Sequence, residues 1–247
     1  NIIGGKLPAD RNVISCNAYS NIYLDGSNPQ NNIIQGNYIG TDASGTSRLV
    51  NQSDGIVCFR GYNNLIGGAE EGAGNLISGN AYTGMFFNTQ DGPNTIQGNF
   101  IGTDISGKYQ KGNGYELNPL GSGISIYRAP NNTIGGLSKD HGNIISGNYG
   151  HGVWLAGSES SGNVIRNNKI GTTFDGSGAI PNVSDGVCID RDSEDIKIGA
   201  ANNTNIYMNS IAFNGGAGIL VKYGENNKIS RNSIYLNNGL GIDLRGD

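Results

Sequence analysis

The chain contains 247 residues, among them 42 glycines and only 6 prolines, and 15% of its residues are charged. Long helices are rich in Ala, Leu, Glu and Lys, so this composition argues against an α-rich protein. The net charge of −4 argues against a nucleic-acid-binding protein, which would carry a basic patch. No apolar run approaches the ~20 residues of a membrane-spanning helix, so we expect no membrane insertion.

The phrase Asn-x-Ile recurs almost from the first residue to the last, and its isoleucines form two series. The first series consists of Ile3, Ile34, Ile66, Ile96, Ile134, Ile165, Ile198 and Ile229. The second series consists of Ile14, Ile39, Ile77, Ile101, Ile145, Ile170, Ile211 and Ile234. Asn stands two positions before each of them except Ile198, where Ile196 takes its place. Such a repeat indicates a fold built from stacked, similar units.

A third apolar phrase, usually placed after a glycine, recurs once per unit. Its members are Ile22, Ile56, Met85, Ile124, Val153, Val187, Ile219 and Ile242. Two positions after them stand Leu24, Cys58, Phe87, Ile126, Leu155, Ile189, Val221 and Leu244. Alternation with a period of two is typical of a strand with one buried face.

Three short strands per unit predict an all-β protein whose coils stack ~4.8 Å apart with like residues above like. This is a parallel β-helix of about eight three-strand coils, extending as one domain over residues 1–247. It should be right-handed, because parallel crossover connections almost always are. The two isoleucine series lie 11 residues apart at Ile3 and Ile14 but 5 apart at Ile34 and Ile39, and this alternation predicts a two-coil super-repeat. Its inserted loops should flank the second-series strands and fold over their outer face.

Three phrases carry a family resemblance: NYIGTDASGT at residues 37–46, GNLISGN at 74–80 and GLGIDL at 239–244. They resemble the parallel β-helix repeats of the pectin-lyase-like superfamily, and especially those of surface proteins. The resemblance covers essentially the whole chain. It implies an extracellular or cell-surface location, and the first residue, Asn1, suggests a processed product. It specifies the fold more than the activity, since the superfamily includes lyases, hydrolases, epimerases and adhesins.

Asp42 and Asp104 are the candidate metal ligands, because each lies in a Gly-Thr-Asp-x-x-Gly loop that could bind Ca²⁺. Both stand three residues after a ladder isoleucine, where other coils carry Asn17, Asn80, Asn148, Thr173, Asn214 and Asn237. This equivalence favours a turn position whose side chain bonds to nearby backbone N–H groups. Two acids separated by an intervening coil are also a poor cage for calcium. We therefore predict no cofactor, with Ca²⁺ as the alternative.

The candidate binding surface is an aromatic strip on the outer face of the third strand series. It consists of Tyr23, Phe59, Phe86, Tyr127 and Trp154. Such a strip could stack sugars or contact a protein, or an inserted loop could cover it. Arginine recurs beside it once per super-repeat, ~10 Å apart, at Arg60, Arg128 and Arg191. These arginines could bind a periodic anionic polymer, although we favour pairing with loop carboxylates.

The candidate catalytic residues lie near the C-terminal end of the chain: Asp190, Lys222, Asp243 and Arg245. In enzymes that resemble this fold, acids on adjacent coils bind calcium or act as acid and base, and a Lys or Arg abstracts a proton or stabilises charge. The alternative, which we favour, is a ladder of charges that offset one another across neighbouring strands.

Cysteine and histidine give no further candidates. The three cysteines Cys16, Cys58 and Cys188 are odd in number and far apart, so no disulfide framework is predicted. Cys58 should point inward and Cys188 outward, and neither has a visible partner base. His151 has no second histidine or cysteine at ligand spacing, nor has His141, so we predict no metal or catalytic role for either.

Two functions follow as hypotheses. The first is a non-enzymatic extracellular scaffold, adhesive or filament-forming, with a polysaccharide or another surface polymer as partner. The alternative is a carbohydrate-active enzyme, a lyase or glycoside hydrolase, acting on an acidic polysaccharide. The uniform repeats favour the scaffold. Because the chain begins and stops within a coil, we expect a segment of a longer solenoid or a subunit that self-associates end to end.

Overall fold

The computed structural model describes residues 1–26, 29–88, 93–115, 121–199 and 208–244. Within these ranges the chain forms three sheets of eight parallel strands, and its only helical elements are the 3₁₀ turns Pro8–Asp10 and Lys139–His141. None of the helices in the described ranges is long and apolar enough to cross a membrane. The predicted all-β class is therefore confirmed.

The strands are numbered in chain order, and each coil contributes one strand to each sheet. Sheet A contains β1 (Ile2–Gly4), β4 (Ile33–Gln35), β7 (Leu65–Gly67), β10 (Thr95–Gln97), β13 (Thr133–Gly135), β16 (Val164–Arg166), β19 (Lys197–Gly199) and β22 (Lys228–Ser230). Sheet B contains β2 (Val13–Ile14), β5 (Tyr38–Ile39), β8 (Leu76–Ile77), β11 (Phe100–Ile101), β14 (Ile144–Ile145), β17 (Lys169–Ile170), β20 (Ser210–Ala212) and β23 (Ser233–Tyr235). Sheet C contains β3 (Ile22–Leu24), β6 (Ile56–Phe59), β9 (Met85–Asn88), β12 (Ile124–Tyr127), β15 (Val153–Ala156), β18 (Val187–Asp190), β21 (Ile219–Val221) and β24 (Ile242–Leu244).

The strand register reproduces the isoleucine ladders predicted from the sequence. In sheet A, Ile34 pairs with Ile66, and the same pairing continues through the first series. In sheet B, Ile77 pairs with Ile101 and the second series continues likewise. These four side chains are completely buried. The eight-coil parallel β-helix is thus confirmed, and stacked isoleucines make up most of its core.

Asparagines form a second ladder at the corner between sheets A and B, and all but the terminal members Asn12 and Asn232 are buried. Its members are Asn12, Asn37, Asn75, Asn99, Asn143, Asn168, Asn209 and Asn232. Asn99 shows the pattern: its Oδ1 accepts from the backbone N–H and from Nδ2 of Asn75, at 3.0 and 2.9 Å. Its Nδ2 donates to the carbonyl of Ile66 and to Oδ1 of Asn143, at 3.0 and 2.9 Å. Every hydrogen-bonding position of the buried amide is therefore used.

A similar ladder lies directly before the sheet A strands, at the corner between sheets C and A. It runs from Asn1 to Asn163 and stops at Ile196, the exception found in the sequence. There the N–H of Ile196 donates to Oδ1 of Asn227 at 3.0 Å. Ile196 thus keeps the backbone bond that the other coils make. It supplies no side-chain amide, and Asn163 Nδ2 donates to the carbonyls of Ala129 and Ser160 at 2.9 and 3.1 Å.

A third ladder, at the corner between sheets B and C, corrects one expectation. It runs through Asn80, Asn113, Asn148, Asn182, Asn214 and Asn237. The prediction that Asp104 and Thr173 occupy the same turn position as Asn80 and Asn148 is wrong. Asn113 and Asn182 take those positions instead, because an inserted loop displaces the ladder residue along the chain.

The inserted loops fold over sheet B, as predicted. The three loops that follow β5, β11 and β17 each close with an antiparallel bridge: Thr41 to Arg48, Thr103 to Gln110 and Thr172 to Ala179. Consecutive loops also bond to each other, since the N–H of Ile105 donates to Gly45 at 3.1 Å and that of Phe174 to Gly107 at 2.9 Å. Beneath them Leu76 is completely buried. A groove of about 630 Å³ remains, lined in part by Phe100, Ile144, Lys169 and Phe174.

Replacing Asn99 with Ala tests the asparagine ladder. The substitution removes the acceptor of two Asn75 donors and the donor to Ile66 and Asn143, so buried polar groups lose their partners. We expect a loss of about 2 kcal/mol or more in the free energy of unfolding, since each such group costs about 1–3 kcal/mol. Urea denaturation measures it.

Asn238→Ala is the matched control for Asn99→Ala. Asn238 is exposed, and its side chain donates only a 3.3 Å bond to Gly215. Its removal should change the free energy of unfolding by about 0.5 kcal/mol or less. Equal losses in the two variants would contradict a structural role for the ladder.

Candidate functional site

The outer face of sheet C carries most of the predicted site residues, in two straight rows. The first row runs through Tyr23, Val57, Phe86, Ser125, Trp154, Cys188, Leu220 and Asp243. In the second row, Phe59 pairs with Asn88, and Tyr127 with Ala156 and then Asp190. These residues face outward because the ladder residues that alternate with them fill the core.

The aromatic strip (Tyr23, Phe59, Phe86, Tyr127 and Trp154) lies on this face as predicted. The Tyr23 side chain is 58% exposed, and the other four are half-buried. The rings of Tyr127 and Trp154 are stacked, with centroids 6.4 Å apart and planes 3° from parallel. Between the rings of the first row, Val57 and Ser125 are buried. The face is therefore a series of accessible ring surfaces separated by small, covered residues.

An arginine follows the sheet C strand at the same place in alternate coils. Arg60, Arg128 and Arg191 have φ values of 62°, 53° and 50°, which is the left-handed region. For a residue other than glycine, asparagine or aspartate this conformation costs ~1 kcal/mol, whereas glycine would adopt it freely. Three exposed arginines therefore occupy positions at which the backbone favours glycine.

Each guanidinium lies over a ring of the aromatic strip. The Cζ atoms are 5.1 Å from the ring of Phe59, 5.2 Å from that of Tyr127 and 5.6 Å from that of Trp154. These distances fall in the range of cation–π contacts.

Carboxylates pair with two of these arginines, the arrangement that the sequence favours. Arg60 Nη2 lies 2.9 Å from Asp25 Oδ1, and Arg128 Nε lies 3.6 Å from Glu159 Oε2. The hydrogen bond from Arg60 holds the pKa of Asp25 below its ordinary value, with the backbone N–H of Gly26 as the next cause. The pairs are largely exposed, so another anion can compete for the guanidinium groups.

Two of the predicted catalytic residues, Asp190 and Lys222, are paired in the structure. Lys222 Nζ lies 4.0 Å from Asp190 Oδ2, and Asp190 Oδ1 accepts the N–H of Arg191 at 2.8 Å. Asp243 lies in the first row, beside Leu220. Arg245 lies outside the described residues. The structure thus brings Asp190 and Lys222 together as an ion pair, which is the geometry of a charge ladder.

Asp42 and Asp104 organise their own loops. Asp42 Oδ1 accepts from the Ser44 hydroxyl at 2.9 Å and from the N–H groups of Thr46 and Ser47, both at 3.1 Å. The hydrogen bond from Ser44, followed by that from Ser47, lowers the pKa of Asp42.

The second and third loops use the same device. Asp104 accepts from the Ser106 hydroxyl and from the N–H groups of Lys108 and Tyr109. In the third loop Asp175 supplies the carboxylate, and the Thr173 hydroxyl, which donates to it at 2.6 Å, is the largest cause of its lowered pKa. The carboxylates therefore bond to backbone N–H groups, as the turn interpretation expects, although in an inserted loop rather than at the ladder corner.

A cluster that sequence reasoning missed lies beside Trp154. One nitrogen of His151, one carboxylate oxygen of Asp185 and Sγ of Cys188 all lie within 4.8 Å of one another. His151 Nδ1 is 3.1 Å from Asp185 Oδ2. The His151 and Asp185 side chains are 26% and 13% exposed, and Cys188 is buried. The prediction of no metal or catalytic role for His151 rested on spacing along the chain, whereas the neighbours of His151 in the structure lie on the next coil.

The signal for this cluster was present in the predicted register. His151 stands two residues before Val153, and Asp185 two residues before Val187, and these valines are ladder neighbours. Cys188 directly follows Val187 and points outward, as predicted. The register therefore places His151 and Asp185 at equivalent positions on neighbouring coils, with Cys188 three residues after Asp185.

One family model, described as a right handed beta helix region, matches residues 117–247, about half of the chain. This match agrees with the parallel coils of the structure and with the right-handed crossovers predicted from the sequence. No curated protein and no solved structure matches the chain.

The loop carboxylates can be tested by following the ¹³C signal of the Asp42 carboxyl group against pH. We expect a midpoint below ~3.9, the value of an unperturbed Asp. Because the pKa is lower in the folded state, the stabilisation is present above ~pH 4 and is lost as the pH falls through the folded pKa. Ser44→Ala should raise the midpoint, since it removes the hydroxyl donor.

Ser47→Ala is the matched control, because Ser47 contributes only its backbone N–H to Asp42. The midpoint should stay where it is in the wild type. A midpoint that is insensitive to Ser44→Ala would show that the hydroxyl does not organise this loop.

Proposed function

Because the chain belongs to the right-handed β-helix family, we propose that it is a non-enzymatic scaffold whose sheet C face binds an extended acidic polysaccharide. The observation that carries the proposal is the aromatic strip with a guanidinium over one of its rings once per super-repeat. Two coils span ~10 Å along the solenoid, which is comparable to the length of a disaccharide in an extended glycan.

The aromatic rings and the guanidinium groups suit two different parts of an acidic sugar, its C–H face and its carboxylate. Aromatic rings pack against the apolar C–H face of a pyranose ring. Guanidinium groups donate two parallel hydrogen bonds to a carboxylate, and their planar form fits it better than an ammonium group would. In the free protein Asp25 and Glu159 hold two of the arginines in place. A uronate carboxylate would take over these hydrogen bonds when the polymer binds.

The charge arrangement favours binding over catalysis. A lyase acting here would need a base that reaches the sugar proton it removes. The best candidate, Lys222, is an ammonium partner of Asp190, and its Nζ also lies 6.0 Å from the Tyr223 ring centre. Both contacts hold the lysine against groups of its own chain.

We also propose an extracellular or cell-surface location, which rests on the resemblance to surface β-helix repeats. Treating intact cells with a protease tests it, since an externally placed chain would be digested. A chain that is cleaved only after cell lysis would contradict this part of the proposal.

The binding proposal predicts retention of the chain in affinity electrophoresis with polygalacturonate and weaker retention at high salt, which screens the arginines. Trp154→Ala should weaken binding about three- to tenfold, the equivalent of one aromatic contact. Replacing Arg60, Arg128 and Arg191 together with Gln should weaken it about tenfold and remove most of the salt dependence.

Tyr109→Ala and Lys108→Gln are the controls, since both side chains are exposed on a sheet B loop, and neither should change retention. A neutral β-glucan tests the charge requirement. Equal retention with the glucan would contradict the acidic specificity, and no retention with either polymer would contradict the binding face. Release of unsaturated sugar ends from polygalacturonate, abolished by Lys222→Ala, would establish the lyase alternative instead.

A further inference from the structure

We propose that His151, Asp185 and Cys188 form a zinc-binding site on the outer side of the fifth and sixth coils. This inference is independent of polysaccharide binding. Imidazole nitrogen, carboxylate oxygen and thiolate sulfur are the ligand types that Zn²⁺ binds in proteins. Here one atom of each type lies within 4.8 Å of the other two.

The arrangement of the three atoms separates a metal site from a catalytic triad. In a triad the imidazole lies between the acid and the thiol, so that these two groups are at opposite edges of the ring. In this chain the Asp185 oxygen and Cys188 Sγ also lie within 4.8 Å of each other. Mutual convergence of all three pairs is what a shared ion requires. Small side-chain adjustments bring the atoms to zinc–ligand distances of ~2.0–2.3 Å.

Backbone contacts hold the carboxylate in the orientation that the site needs. The N–H of Ala217, on the next coil, donates to Asp185 Oδ1 at 2.7 Å, while Oδ2 faces His151. A Cβ at Gly216 would lie 2.3 Å from Oδ1, so the carboxylate fits only because this residue is glycine. Outer contacts such as that from Ala217 commonly set the geometry of metal ligands. The N–H of Asp185 donates to the lone pair of His151 Nδ1 at 3.3 Å, and a zinc ion bound at this nitrogen would replace that N–H.

The surroundings are dry on the thiol side and open on the imidazole side. Cys188 packs in an apolar cluster with Ala217, Leu220 and Trp154. His151 retains 26% exposure of its side chain, which leaves a direction from which an ion can enter. Three protein ligands with water in the fourth position would complete a tetrahedral site.

The charges balance when zinc binds. The thiol proton of Cys188 passes to solvent, and the resulting thiolate and the Asp185 carboxylate offset the two positive charges of the ion. His151 binds as a neutral imidazole. No residue changes its oxidation state, because Zn²⁺ has no redox chemistry.

Asp54 stands two super-repeats earlier at the position equivalent to Asp185. Comparing the two shows which part of the cluster belongs to the repeated fold. Asp54 Oδ1 accepts the N–H of Thr83 at 2.8 Å, as Asp185 Oδ1 accepts that of Ala217. There the places of His151 and Cys188 are taken by Ser20 and Val57. The aspartate is thus a recurring coil-to-coil contact, and the histidine and cysteine are what the later coils add to it.

Titrating the full chain with Co²⁺ tests the site, because a thiolate–cobalt bond gives a charge-transfer band in the near ultraviolet. We expect one Co²⁺ per chain, displaced by Zn²⁺, and a higher thermal midpoint in zinc. Cys188→Ser, His151→Ala and Asp185→Asn should each weaken Zn²⁺ binding at least about 100-fold, since losing even an outer contact typically costs about 10–100-fold. Cys188→Ser should also abolish the band.

Asp54→Asn and Cys16→Ser are the matched controls. The first removes a carboxylate from the equivalent architectural position, and the second removes the exposed thiol. Both should bind zinc as the wild type does. Circular dichroism establishes that each variant is folded, and Asn at position 185 can still accept the N–H of Ala217. Absence of binding, or binding that survives Cys188→Ser, would overturn the proposal and leave only the contact between His151 and Asp185.

Discussion

The structure depends on satisfying the backbone at the corners of each coil. Strand pairing satisfies N–H and C=O groups along the three sheets, but the chain turns sharply between them, and these turns are buried. The side chain of a buried asparagine bonds to the main chain of the preceding coil and to the asparagines above and below it. Because an amide is neutral, it provides four hydrogen bonds without burying a charge. This fixes each coil on the one before it, and the isoleucine stacks can then pack without gaps.

The same constraint aligns the outer residues. Once ladder positions are fixed coil by coil, any residue type that recurs on the outside becomes a straight row at constant spacing. Tyr127 and Trp154 can stack because their strands are in register, although they are separated by a full turn of the chain. Arg60, Arg128 and Arg191 recur in alternate coils for the same reason, at a place where the backbone conformation favours glycine. A polymer with its own repeat is the natural ligand of such a surface.

Much of this arrangement could be predicted from the sequence because each ladder depends on one residue type at one place per coil. The isoleucine stacks, the outward rows and the break at Ile196 all follow from aligning repeats. The errors arise where an insertion shifts that alignment: Asp104 has the right spacing after Ile101, yet Asn113 occupies the corner. The hydrogen bonds of the Asp42 loop depend on side-chain geometry that spacing does not encode. The cluster of His151, Asp185 and Cys188 was missed because its members are neighbours across coils and not along the chain.

The ladders also determine where chemistry is possible in this fold. Inward positions are occupied by apolar stacks, and burial there suppresses reactivity: it raises the pKa of the Cys58 thiol to about 11, so the thiol stays protonated at neutral pH. Cys188 directly follows the inward-facing Val187 and therefore lies on the outer face. There its Sγ is within 4.8 Å of a nitrogen of His151 and an oxygen of Asp185. Replacing outward residues leaves the isoleucine and asparagine ladders intact, so a single pair of coils can acquire a site without weakening the solenoid. The uniform repeat is therefore compatible with function at individual coils, and departures from the repeat on the outer face are where that function should be sought.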